Sequence, residues 1–213
     1  MLQLNLDSEK RTKREFIESV IEICKSIFND AFGPDFSKNN SLKVAFCTVE
    51  NCAAVYEYFC TQFFPLYLAE GYDKASLFTA QAFTNTDDGI YGILICLDAE
   101  QPTSGWYQII LHEMSHIFCI TREIGQDNFT AKYLESVNKK SLKDGCMHIG
   151  YAVWREFIAD YIAYQLNPIL APLSLSRLRE LVRELDEDIY AGNPDRAVSA
   201  SLVLTYIFVT AKI

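Results

Sequence analysis

Between Trp106 and Ile120 the chain reads as a helix that is apolar on nearly every face, yet it carries His112, Glu113 and His116. Ile109, Ile110, Leu111, Met114, Ile117 and Phe118 surround those three residues. A helix with so little polar surface belongs in the interior of a fold. It limits the arrangements open to the rest of the chain, because other elements must wrap it. It also poses a chemical problem: two buried imidazoles beside a buried carboxylate need a compensating partner.

The segments before this helix supply part of the wrapping. Ser8 to Phe32 has apolar residues near helical spacing, from Phe16 and Val20 to Ile27 and Phe28, and Gly33-Pro34 ends it. Leu42 to Val49 is rich in β-formers and reads as a strand. Glu50 to Phe64 reads as a helix, with Asn51 as its cap and Pro65 as its stop. Ser76 to Thr84 and Ile90 to Asp98 are expected to be strands, joined by a hairpin loop over Asn85 to Gly89. Thr103 or Ser104 can cap the apolar helix, which runs to about Ile120.

The remainder reads as helical. Asp127 to Leu142 holds a weaker pattern, and Tyr151 to Leu166 a strong one closed by Pro168 and Pro172. Ser174 to Tyr190 and Pro194 to Thr210 follow. The expectation is an α+β fold over residues 1–213 as a single domain. A small antiparallel or mixed sheet of about three strands would pack on a mostly helical body.

Charge and cysteine content narrow the partners. The 213 residues carry a formal net charge of −9, and no dense basic patch offsets it, so nucleic acid is not expected. Seven cysteines lie mostly in apolar runs without a Cys-x-x-Cys pair, which suits a reducing cytoplasm. The first residues lack the basic start and apolar core of a signal peptide. The longest uncharged stretch, Ala197 to Ala211, falls short of the roughly 18 to 20 apolar residues of a spanning helix, so no membrane partner is expected.

The chemistry is concentrated in Leu111-His112-Glu113-Met114-Ser115-His116-Ile117, an HExxH pattern. On a helix, residues four apart stand one turn above each other, so both imidazoles can reach one metal ion. Glu113 adjoins the first ligand and can address a metal-bound water, which is the geometry of a zinc hydrolase. A catalytic zinc needs a third protein ligand and an open position. Glu156, about 40 residues past His116 on a second apolar helix, is the candidate. Asp160 stands one turn later and can accept the free N–H of a ligating imidazole. The bland reading makes Glu156 a helix-surface acid paired with Arg155. Cys119 reads as a core thiol.

HExxH followed by a separate helix bearing Glu-x-x-x-Asp resembles the gluzincin metallopeptidases. Within them, Glu156-x-x-Ala159-Asp160-x-x-Ala163 is similar to the third-ligand helix of the small ImmA/IrrE-type peptidases, and Leu166-Asn167-Pro168 loosely matches its end. The resemblance is confined to residues 111–168. It implies a zincin-like fold, Zn2+ as cofactor, and hydrolysis of a peptide or protein substrate. It also implies a His or Tyr that supports the oxyanion, for which His148 and Tyr151 are the candidates. Gly150 between them suggests a bend where that helix starts. Two other classes compete: a non-catalytic zinc-binding module, and a helical protein-interaction module without metal.

Overall fold

The computed structural model describes residues 8–32, 42–68, 78–122, 124, 142–167 and 183. The fold is α+β, with four helices and one three-stranded mixed sheet among those residues. The chain divides into two compact units, Met1–Thr121 and Arg122–Ile213.

The first unit opens with α1, Ser8–Phe32, whose Ile17, Val20, Ile21, Cys24 and Phe28 are buried. Their spacing places them on one stripe, as an amphipathic helix requires. Strand β1 spans Leu42–Cys47 and helix α2 Cys52–Phe63. Asn51 occupies the cap position of α2, but its side chain does not cap the helix. Its Oδ1 instead accepts the Thr48 amide at 2.7 Å, tightening the turn that follows β1. A single 3-10 turn, Pro65–Leu68, follows α2.

Strands β2, Ala80–Asn85, and β3, Ile90–Cys96, form the expected hairpin. Asn85 pairs with Ile90 across an antiparallel ladder, and Gly89 takes a φ of 62° that suits glycine in the turn. The pairing of β1 with β3 is parallel, from Leu42 with Tyr91 to Cys47 with Cys96, so the order is β1-β3-β2. The central strand is the most apolar, as a strand covered on both faces must be. Leu94 and Cys96 face the aromatic cluster of Tyr56, Phe59, Phe64 and Phe83. Ile93 and Ile95 alternate to the other face and are also fully buried. Gly92 is required by close approach, since a Cβ there would stand 2.6 Å from the Phe64 ring.

Helix α3, Thr103–Thr121, packs against β2 and α1. Its start is held by the short link from β3. Asp98 accepts Val49 N–H at 2.7 Å and pairs with Lys10 of α1 at 2.7 Å. Lys13 donates to the Ala99 carbonyl at 2.6 Å and lies over the Trp106 ring. Farther along, the Phe32 and Phe118 rings stack with centroids 4.3 Å apart. Both ends of α3 are thus fixed on α1, which makes it a rigid platform.

In the second unit, α4 runs from Leu142 to Leu166. It begins nine residues before the expected Tyr151 and passes through Gly150 unbroken, so Gly150 lies inside a helix and not at its start. An exposed glycine in a helix interior costs about 1 kcal/mol against alanine, and the length of α4 absorbs it. The helices expected at Asp127–Leu142, Ser174–Tyr190 and Pro194–Thr210 lie outside the described residues, apart from Leu142 and a helical Arg183. Among the described residues no helix is long and apolar enough to cross a membrane.

Candidate metal centre

Helix α3 sorts its polar residues by face. Trp106, Ile110, Met114 and Ile117 are fully or almost fully buried, and so is the Ser115 side chain, whose hydroxyl donates to the Leu111 carbonyl at 2.6 Å. His112 and His116 occupy a partly buried stripe beside this core. The helix is therefore less uniformly enclosed than its composition suggests, and the open stripe is the one that carries the imidazoles. Glu113 is 9% exposed, on the buried side.

The two Nε2 atoms stand 3.0 Å apart, with the rings nearly perpendicular at 87°. Two nitrogens bound to one tetrahedral zinc at about 2.05 Å would be about 3.3 Å apart. The pair is close to that separation. Ligand atoms of His112, His116 and Glu156 all lie within 4.8 Å of one another, and the set could hold a metal ion. Two imidazoles and one carboxylate are a donor set that zinc accepts, and so do other first-row divalent ions. The residues present fit the group.

Glu156 also satisfies the bland reading. Arg155 Nη2 lies 3.0 Å from Glu156 Oε1, and the Glu156 side chain is 29% exposed. An ion pair with an exposed guanidinium is worth little, so it does not fix the carboxylate against a stronger cation.

The remaining candidates are spread along α4. Asp160 is partly buried, one turn after Glu156. Tyr151 is buried, its ring 6.0 Å from that of Trp154. Five positions separate Tyr151 from Glu156, so they leave the helix about 140° apart. The side chain of His148 lies outside the described residues.

Cys119 is 3% exposed, and burial pushes its thiol up to about 11. A neutral buried thiol is a poor ligand, in line with its reading as core. Sequence reasoning missed a denser thiol group. Cys47, Cys52, Cys60 and Cys96 share the aromatic core behind the sheet, and Cys47 donates to Cys52 Sγ at 3.2 Å. That hydrogen bond, then burial, pushes the Cys47 thiol up. Sequence reasoning also missed Gln108, whose buried Oε1 has no hydrogen-bond partner among the described residues. Its position one turn before His112 was the available signal.

No family model, no curated protein and no solved structure matches this chain.

Proposed function

We propose that the chain binds one zinc ion through His112, His116 and Glu156 and hydrolyses peptide bonds in a peptide or protein substrate. The observation that supports this is the grouping of two imidazoles and a carboxylate, next to the buried Glu113. We read it as a gluzincin-type metallopeptidase, loosely of the ImmA/IrrE kind, on the HExxH spacing and the Glu156-x-x-x-Asp160 helix. Bound there, zinc would supply Lewis acidity toward a carbonyl and acidify a water.

The rest is the work of the chain's own side chains. Glu113 takes a proton from the attacking water onto a carboxylate oxygen. It then delivers that proton to the departing amine nitrogen as the C–N bond breaks. Asp160 accepts an imidazole N–H, which fixes the ligand tautomer. A donor on α4, His148 or Tyr151, supports the oxyanion. The competing reading, an interaction module without chemistry, draws on the Arg155–Glu156 pair.

We place the protein in the cytoplasm on its thiols. The six described cysteines are buried and form no disulfide among the described residues, which suits a reducing compartment. The acidic balance of −9 argues against nucleic acid as a partner.

The test is cleavage of a mixed peptide library by zinc-loaded protein, read by mass spectrometry. Glu113→Gln should keep its zinc and lose cleavage by at least about a hundredfold. Zinc-loaded parent that cuts no peptide in the library would contradict the peptidase reading.

A further inference from the structure

Arg155 of α4 is held against the candidate metal set by a contact with its own neighbour in the chain. Its Nε and Nη2 donate to Glu156 Oε1 at 3.3 and 3.0 Å, and Glu156 supplies the carboxylate of that set. Adjacent residues leave a helix about 100° apart and do not ordinarily face each other. The long arginine chain therefore bends around the helix toward the carboxylate. Its own helix offers no other acid within a turn: the residues three and four positions away are Tyr151, Ala152, Ile158 and Ala159. The Arg155 side chain is 48% exposed, so a solute can reach it.

A carboxylate that ligates a divalent ion gives its charge to that ion, and a second cation beside the ion is repelled by it. The Arg155–Glu156 pair is thus strongest in the metal-free chain. With a metal held by His112, His116 and Glu156, the guanidinium keeps its planar fork of N–H donors at the margin of the set, and no acid within a turn of its own helix takes them. We propose that Arg155 is a substrate-binding residue: released from Glu156 on metal binding, its guanidinium pairs with a carboxylate of the substrate beside the scissile bond. This rests on the zinc peptidase reading and adds a substrate class to it, peptides with a carboxylate close to the bond that is cut. A guanidinium matches a carboxylate through two parallel hydrogen bonds, which an ammonium does not. The fork stands one hydrogen bond from a carboxylate of the metal set, and one peptide residue spans about 3.5 Å. The substrate carboxylate therefore sits within about one residue of the reacting carbonyl, as a free C-terminus or an aspartate side chain. In a chain of net charge −9 most of the surface repels such substrates, and this cation supplies a local attraction.

The experiment measures, by calorimetry, the binding of succinyl hydroxamates to zinc-loaded full-length chain. The alanine derivative carries a terminal carboxylate, the aspartic acid α-amide a side-chain carboxylate, and the alaninamide neither. In the parent at least one carboxylate probe should bind about fivefold more tightly than the alaninamide, the upper end for an ion pair this exposed. Which probe does so tells a free C-terminus from an internal aspartate. Arg155→Gln should keep its zinc, bind the alaninamide as the parent does and lose the preference, and Arg155→Lys should regain part of it. A zinc-loaded parent without any preference would overturn the proposal. So would a preference that survives Arg155→Gln, since the metal alone would then attract the carboxylate. Loss of zinc from Arg155→Gln would also overturn it, because Arg155 would then support the ligand and not the substrate. A parent that takes up no zinc would overturn the peptidase reading itself and this inference with it, whereas the other failures leave that reading standing.

Discussion

The tetrapeptide Arg-Glu-Phe-Ile occurs at 14–17 and again at 155–158, and the two copies are put to different use. In α1, Arg14 reaches forward one turn to Glu18 at 2.9 Å and lies over the Phe46 ring. Glu15 is exposed, and Ser19, four residues on, donates its hydroxyl to the Glu15 carbonyl at 3.0 Å. In α4 the residue one turn beyond Arg155 is Ala159, which offers no acid, so the guanidinium turns to its neighbour Glu156. Glu156 is partly buried, has Asp160 one turn on, and belongs to the candidate metal set. Identical local sequence therefore settles helix formation but not role. The residue at i+4 and the exposure of the helix face set different surroundings for the two glutamates.

Stability should separate the two copies most strongly. Ile17 is fully buried, whereas Ile158 is only partly so. Ile17→Ala should cost about 2–5 kcal/mol in urea unfolding, and Ile158→Ala clearly less. Equal costs would mean that α4 carries as much of the core as α1.

A smaller effect concerns the way α1 is tied down. The Lys10 ammonium, and then the Val49 amide, hold the Asp98 carboxyl below the usual carboxylate range. A depressed folded value means that its stabilisation is fully present above the ordinary value of about 3.9 and is lost as pH falls through the lower folded one. Lys10→Met should therefore lower stability slightly at neutral pH and flatten the acid limb, so that variant and parent converge below about pH 4, read from urea midpoints. An acid limb identical to the parent's would remove the pair from the account.

The smallest effect belongs to the arginines. Arg14 and Glu18 are both more than 40% exposed, so Arg14→Ala should cost well under about 1 kcal/mol in thermal melting. A larger loss would show that the stacking over Phe46 matters more than the ion pair.

Much of this was legible in the sequence where local chemistry is decisive. The α1 boundaries follow from its apolar spacing and the Gly33-Pro34 stop. The β2–β3 hairpin follows from Gly89 and the flanking β-formers. The convergence of Glu156 on His112 and His116 is expected from helix spacing and donor chemistry. What was not legible depends on partners distant in sequence. Nothing in β1 announces that it pairs parallel to β3. Asn51 stands where a cap should, but Thr48 N–H competes for its side chain. The early start of α4 is hidden by Lys143, Asp144 and Gly150, which weaken the helical signal without breaking the helix. That Gln108 Oε1 is buried without a partner among the described residues is a fact of packing, which composition does not encode.

The most direct test of the central claim is zinc stoichiometry by mass spectrometry under non-denaturing conditions, on parent, Glu156→Ala and Glu15→Ala. The account predicts about one zinc per chain in the parent and in Glu15→Ala, and far less in Glu156→Ala. Full zinc in Glu156→Ala would contradict it and leave Glu156 as the same kind of surface acid as Glu15.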